Sequence, residues 1–238
     1  MAACGIRRQI DFIEKTKAGD FVLKHIRPYQ LFTLLDRPAP ERVANVKIPN
    51  RKDLALLETF LLITALRLVN ARRVFEFGTY FGSTTLNLAL NSSPDSEIFT
   101  LDLEDSDLIR VCQLSADAVL TQEHLAREML DFEQSNIANK IVCLKGNSHF
   151  FDFSPFKNSI DLIFIDGGHD YETVASDTRN AFKMLRMDTH AAIFWHDYGH
   201  PQYLDNTRFL DELSAQYDVF HVEDTMLCGY LSNSGIDF

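Results

Sequence analysis

Residues 74–82 read Val-Phe-Glu-Phe-Gly-Thr-Tyr-Phe-Gly and run on into Ser83-Thr84-Thr85-Leu86-Asn87-Leu88. The opening is an apolar strand that reaches the acid Glu76; Gly78 and Gly82 then turn the chain into a helix. Glycine lets backbone N–H groups come close to a ligand, and a helix N-terminus turns a positive dipole toward it. The pattern is E-x-G-x-x-x-G rather than the G-x-G-x-x-G of dinucleotide sites, with Glu76 where that fingerprint has its first glycine. A carboxylate there repels pyrophosphate but accepts hydrogen bonds from a cationic or hydroxyl-bearing ligand.

Outward from this turn, short apolar runs alternate with amphipathic stretches. Strands are expected at 73–77, 97–101, 140–144, 161–165 and 191–195, each pair separated by enough chain for a crossover helix. The runs 217–222 and 226–231 read as a terminal hairpin, which requires an antiparallel strand at the edge of a mostly parallel sheet. One helix places Val174, Thr178, Ala181, Phe182 and Leu185 on a single face. Another is expected from Asp53, as its N-cap, with Leu54, Leu57, Leu61, Ala65 and Leu68 at helical spacing. The alternation is that of an α/β fold. Residues 1–50, charged and broken by Pro28, Pro38, Pro40 and Pro49, read as a helical extension or cap, and 51–238 as one domain. The stretch 104–136 exceeds a simple crossover: Glu104-Asp105-Ser106-Asp107 reads as a solvated turn, and the remainder as helical pieces able to cover a site.

Composition narrows the partners. With 238 residues, 46% of them hydrophobic, the chain can bury one sizeable core. A net charge of −11, with no Lys/Arg run longer than two, argues against a nucleic-acid partner and for small molecules. Cys4, Cys112, Cys143 and Cys228 form no C-x-x-C, the first residues lack the apolar run of a signal peptide, and no apolar stretch approaches transmembrane length. The expectation is a reducing, cytoplasmic compartment with no membrane partner.

Glu76, Asp102, Asp166 and the pair His196-Asp197 all fall at strand ends on one edge of the expected sheet. A single acid there commonly caps a turn, but four in register point to the edge where open α/β sheets bind ligands. Asp102 follows Glu76 by 26 residues, near the ~20-residue offset at which an acid reaches ribose hydroxyls.

Taken with Phe164-Ile165-Asp166-Gly167-Gly168-His169-Asp170-Tyr171, these residues resemble the class I S-adenosylmethionine-dependent methyltransferases. The last motif resembles the metal-dependent small-molecule O-methyltransferase branch, methyltransferase family 24, with its catechol and macrolide-sugar enzymes. The likeness spans about Leu54 to Leu231. It implies a Rossmann-like, doubly wound, seven-stranded, mostly parallel sheet with an antiparallel C-terminal hairpin strand and helices on both faces. It also implies an enzyme that uses S-adenosylmethionine and a divalent metal, Mg²⁺ foremost, to methylate a hydroxyl of a small-molecule acceptor.

By that resemblance Gly78, Thr79, Tyr80, Gly82 and Ser83 surround the methionine end of the cofactor, with Glu76 near its ammonium. Asp102 and Leu103 take the ribose, and Asn147 and Ser148 meet the adenine. Asp166 borders the cofactor and joins His196 and Asp197 as metal ligands. His169 stands where relatives carry a Lys or His general base, and an ordinary pKa near ~6.5 suits proton abstraction at neutral pH. Three departures stand out: Asn147 for the usual acid, His196 for an acidic ligand, and Arg186-Met187-Asp188-Thr189-His190 for the Pro-Gly-Gly before the strand at 191.

The residues by themselves leave blander readings open. His169 could serve a turn, Asp170 an N-cap, Asp177 a helix face where it is solvated or bridged to Arg179 or the turn at Lys183, and Trp195 the core. His200, Pro201 and 205–207 read as loop first, and a slipped alignment would make Tyr198 the neighbour of the site. At the level of function, a fold relative could act in another reaction, such as hydroxylation of a secondary metabolite, or the chain could be a non-catalytic cofactor-binding module. A nicotinamide-dependent oxidoreductase is the least favoured. Residues 1–50 are the expected place for a homodimer contact.

Overall fold

A computed structural model describes residues 23–34, 46–47, 54–112, 130–133 and 135–232. Its strands are β1 (Lys24–Ile26), β2 (Arg73–Phe77), β3 (Glu97–Asp102), β4 (Ile141–Lys145), β5 (Leu162–Ile165), β6 (Ala191–Trp195), β7 (Phe220–Val222) and β8 (Cys228–Ser232). Among the described residues the helices are α1 (Leu56–Leu68), α2 (Ser83–Asn91), α3 (Asp105–Cys112), α4 (Tyr171–Met184) and α5 (Leu204–Ser214). The strands form one sheet in the order β1-β7-β8-β6-β5-β2-β3-β4, in which β8 alone runs antiparallel to its neighbours.

The central strands are continuous apolar runs because both faces of a parallel sheet are covered. Alternation divides their side chains cleanly. Phe75, Phe77, Ile163, Ile165, Ile193 and Trp195 meet α4 and α5 in one core, through Val174, Ala181, Phe182, Phe209 and Leu213. Val74, Leu162, Phe164, Ala192 and Phe194 meet α1 and α2 in the other, through Leu61, Leu62, Ala65, Leu66 and Leu88. Trp195 lies wholly in the core and donates its indole N–H to Thr178 Oγ1 at 2.8 Å.

Several expectations need correction. The sheet has eight strands rather than seven, because Lys24–Ile26, within the stretch read as a helical extension, adds β1 in parallel to β7. The tail does fold back on itself, but β8 enters between β7 and β6 instead of lying at the edge, since it pairs with both. Helix α1 begins after Ala55, and Glu58 Oε2 accepts the Ala55 N–H at 3.0 Å; Asp53, the expected cap, lies outside the described residues. Glu104–Asp107 is not merely a turn, because α3 starts at Asp105, with Asp105 and Asp107 in the first turn where acids complement the dipole. Asp205 to Thr207 belong to α5 rather than to a loop. Of the stretch 104–136, residues 113–129 lie outside the described residues, as does most of 1–50. Among the described residues no helix is long and apolar enough to cross a membrane.

Going outward from β2, the chain proceeds to β3 and β4 on one side, while β5 and β6 lie on the other. The carboxyl edge between β2 and β5 is therefore the topological switch point, where open α/β sheets form a crevice. The turn after β2 and the turn after β5 meet there.

Candidate active site

Gly78, the first residue after β2, has φ +90°, and a Cβ on it would lie 2.1 Å from the carbonyl oxygen of Asp166. The glycine is thus required by the close approach of the two turns. Gly82 has φ +83° and is the N-cap of α2; a Cβ there would meet the Phe132 ring at 2.6 Å. Segment 130–133 closes on this helix start: Asp131 N–H donates to Phe81 O at 2.9 Å, and Ser83 Oγ donates to the Asp131 carboxylate. Tyr80 holds a left-handed φ of 48° and meets Phe81 edge to face at 4.5 Å.

Glu76 follows Val74 by two residues, so strand alternation turns it toward α2 rather than out over the edge. It is 1% exposed, and its Oε2 accepts hydroxyl hydrogen bonds from Thr85 and from Thr100, the latter at 2.6 Å. Thr100 and Thr79 share a further hydroxyl contact at 2.7 Å. Burial raises the Glu76 pKa to about 8; the two threonines oppose that shift, and the nearby charges of Asp166 and Asp102 add to it. At neutral pH the group is mostly protonated. The structure places it beneath the glycine turn, tying β2, β3 and α2 together.

Asp102 ends β3 half-buried; its Oδ1 accepts the Leu103 N–H at 2.8 Å, and its carbonyl accepts from Gly146 at 2.9 Å. Leu103 O accepts from Lys145 Nζ at 3.2 Å. Beyond β4, Asn147 Oδ1 accepts from His149 N at 2.9 Å and so holds its own turn. Ser148 donates to Asp177. Asp177 is not solvated: it is 2% exposed on the α4 face turned toward Ser148, and burial raises its pKa to about 7 against the Ser148 hydrogen bond. Asp170 does cap α4, accepting from Thr173 N at 3.0 Å.

The turns after β5 and β6 bring four polar side chains together. His169 Nε2 lies 2.8 Å from Asp197 Oδ2, while His196 Nδ1 lies 3.3 Å from Asp197 Oδ1 and 3.3 Å from Asp166 Oδ1. Each oxygen of Asp197 therefore faces a different imidazole. One ligand atom from each of Asp166, His169 and Asp197 lies within 4.8 Å of the others, close enough for the three to share one metal ion. Asp197 reaches this position with φ 62°, a strained backbone for a non-glycine residue that persists only where its surroundings hold it. Tyr198, at the position a slipped alignment would use, instead donates to Asp211 at 2.9 Å.

His196 shares the alternation of Ala192 and Phe194 and so points toward α1, where its Nε2 meets Glu58 Oε2 at 3.2 Å. Glu58 is 2% exposed, and its other oxygen accepts from Met226 N at 2.7 Å. Burial would lower the His196 pKa, but Asp166, Asp197 and Glu58 hold it well above the usual imidazole value. Burial would likewise raise the Asp197 pKa, but hydrogen bonds from His169 and His196 hold it well below the carboxylate range. A Tyr203 ring lies flat on His169, with centroids 3.8 Å apart and planes at 11°, and His200 stacks on its other face at 4.4 Å.

Glu58, Asp131, Asp177 and Tyr203 were not singled out by sequence reasoning as parts of the site. Glu58 carried the one usable signal, an acid in the first turn of an otherwise apolar helix. The others act across chain separations that no local spacing exposes.

A model of the family described as a methyltransferase domain matches residues 75–198, just over half of the chain. No curated protein matches it by sequence. Among solved structures, the O-methyltransferase TomG of Streptomyces achromogenes, involved in tomaymycin synthesis and solved with S-adenosylmethionine, aligns at TM-score 0.51 and 16% identity over 87% of this chain and 88% of its own. An O-methyltransferase of Bacillus cereus with S-adenosylhomocysteine aligns at TM-score 0.53 and 15% identity over 85% and 89%. A methyltransferase of Podospora anserina with the same ligand aligns at TM-score 0.52 and 16% identity over 76% and 80%. Matched through both turns of the switch point and the β6 edge, the chain belongs to this methyltransferase-domain family and carries the class I, Rossmann-like fold of S-adenosylmethionine-dependent methyltransferases.

Proposed function

We propose that the chain transfers a methyl group from S-adenosylmethionine to a hydroxyl of a small molecule, with a divalent metal assisting. The observation that carries this reading is the contact of Gly78 with Asp166, which sets the glycine turn directly against the acid–histidine cluster. Donor and acceptor regions then share one crevice, as in-line transfer requires. The family match and the ligands named in the similar structures support the cofactor.

The residues present fit both groups. The two carboxylates suit Mg²⁺ or Mn²⁺, an imidazole nitrogen beside them favours Mn²⁺ as the softer of the two, and Asp102 at the end of β3 suits a hydroxyl pair. In this reading Asp166, His196 and Asp197 hold the metal; Asp102, Leu103, Asn147 and Ser148 hold the nucleoside; and Thr79, Tyr80 and Ser83 flank the methionine end. Bound S-adenosylmethionine supplies an electrophilic methyl, and a bound divalent ion lowers the pKa of the acceptor hydroxyl. His169 takes the hydroxyl proton on its imidazole, and Asp197 orients that ring and stabilises the cation it becomes. Tyr203, stacked on His169, excludes water from one face of the base.

One distance favours a second assignment. Asp166, His169 and Asp197 converge within 4.8 Å, which would make His169 a ligand rather than the base. The test of the main reading is calorimetry with S-adenosylhomocysteine, with Mg²⁺ or with EDTA. Binding is expected in both, with Mg²⁺ required only for turnover; no binding in either overturns the cofactor assignment. A Mn²⁺ titration of His169→Ala separates the two assignments, since loss of metal affinity favours the second.

A further inference from the structure

Glu58 lies on α1, far in sequence from the cluster at the ends of β5 and β6, yet its carboxylate closes the side of His196 that faces away from that cluster. His196 Nε2 is 3.2 Å from Glu58 Oε2, and on the opposite side of the ring Nδ1 is 3.3 Å from both Asp166 Oδ1 and Asp197 Oδ1. The carboxylate itself is held. Its Oε1 accepts from Met226 N at 2.7 Å and its Oε2 from Ala55 N at 3.0 Å. The backbone of His196 is fixed as well, because Asn206 Nδ2 donates to its carbonyl at 2.7 Å.

We infer that Glu58 is a positioning residue for a divalent metal: it holds His196 by Nε2 so that Nδ1 faces the ion between Asp166 and Asp197. This deepens, and rests on, the metal reading given above. A half-turn about the Cβ–Cγ bond puts a carbon where each ring nitrogen stood, so the imidazole offers Nδ1 to the cluster in only one of its two flips. A carboxylate accepting from the remote N–H fixes both the orientation of the ring and the nitrogen left for coordination, and makes that nitrogen more basic. Such outer partners are typically worth about 10–100-fold in metal affinity. A histidine at this place in the cluster thereby becomes a usable ligand only when something on α1 grips its far side.

A purely structural role for Glu58 is the competing account, since its carboxylate also joins α1 to the turn between β7 and β8. The two accounts differ in what they couple. The experiment is a double-mutant cycle on the full chain, with Mn²⁺ affinity read by calorimetry and folding read in parallel by thermal melting. Glu58→Gln keeps the volume and one acceptor oxygen, and should weaken Mn²⁺ binding about 10–100-fold. In a His196→Ala background the same Glu58→Gln change should cost little further affinity, because the residue through which it acts is gone. Binding of S-adenosylhomocysteine should stay within about twofold of the parent in both, on the expectation that each variant melts cooperatively. Unchanged Mn²⁺ affinity in Glu58→Gln, or equal losses with and without His196, would overturn the inference while leaving the metal reading intact. Failure of the unaltered chain to bind Mn²⁺ at all would remove that reading and the inference together.

Discussion

At the end of β2 the acid Glu76 turns inward and is satisfied by two threonine hydroxyls, whereas at the ends of β5 and β6 Asp166, His169, His196 and Asp197 face one another. Both regions occupy the same edge of the same sheet. In the first, the polar group is buried among neutral partners, and its proton stays on to about pH 8. In the second, carboxylates and imidazoles alternate from Glu58 through His196 and Asp197 to His169, so each group faces one of the complementary kind. In the proposed reading, the residues buried under the glycine turn are a framework that holds the backbone, and the acid–histidine cluster carries the chemistry.

The strongest test of the contrast is His169→Ala. If the cluster carries the chemistry, kcat should fall about 10²–10⁴-fold, while calorimetry shows S-adenosylhomocysteine affinity nearly unchanged. Equal loss of both would make His169 part of the framework instead.

Gly78→Ala probes the framework half. A Cβ 2.1 Å from a backbone carbonyl, added at φ +90°, should cost about 2–4 kcal/mol of stability, from backbone strain and overpacking together, measured by denaturant unfolding. A cost under about 1 kcal/mol would show that the two turns separate easily, and would weaken the argument from their contact.

Glu76→Gln should cost at most about 1–2 kcal/mol, because one oxygen can still accept from both threonines. Its informative readout is pH. The folded pKa is raised to about 8 from an ordinary 4.5, so between those values the folded chain keeps a proton that the unfolded chain has lost. Stability from this group is therefore greatest below the lower value and declines as pH rises toward the upper one. The variant lacks that decline, so its stability difference between the two ends of the window should be smaller than the parent's. Identical pH slopes would mean that Glu76 is ionised in the fold.

Tyr203→Leu should have the smallest effect. Loss of a stacked ring is worth about 0.5–1.5 kcal/mol, which predicts roughly a three- to tenfold fall in kcat/KM with little change in melting temperature. No change would place the ring outside the reaction.

Most of the sheet was legible because its strands are buried on both faces and so are written as uninterrupted apolar runs. Arg73–Phe77 and Ala191–Trp195 fall where periodicity puts them. β1 was hidden because three residues, only one of them fully buried, leave no pattern. The interior place of β8 was hidden because the hairpin signal states that two strands pair, not which further strand each one meets. In the cluster, Asp166, His196 and Asp197 were legible as residues at strand ends and His169 through the family resemblance, but Glu58 is marked locally only as an acid in the first turn of an apolar helix.

The sequence by itself determined the alternation of strand and helix, the glycines at the first turn, and the row of acids along one edge, because these depend on local period and on backbone conformation. Only the tertiary structure decided which of those acids look inward and which look at one another. Glu76 and His196 both turn to the α1/α2 side of the sheet, yet one meets threonines and the other a carboxylate. That outcome depends on which helix lies opposite, and on its register, and neither is written in the residues next to them.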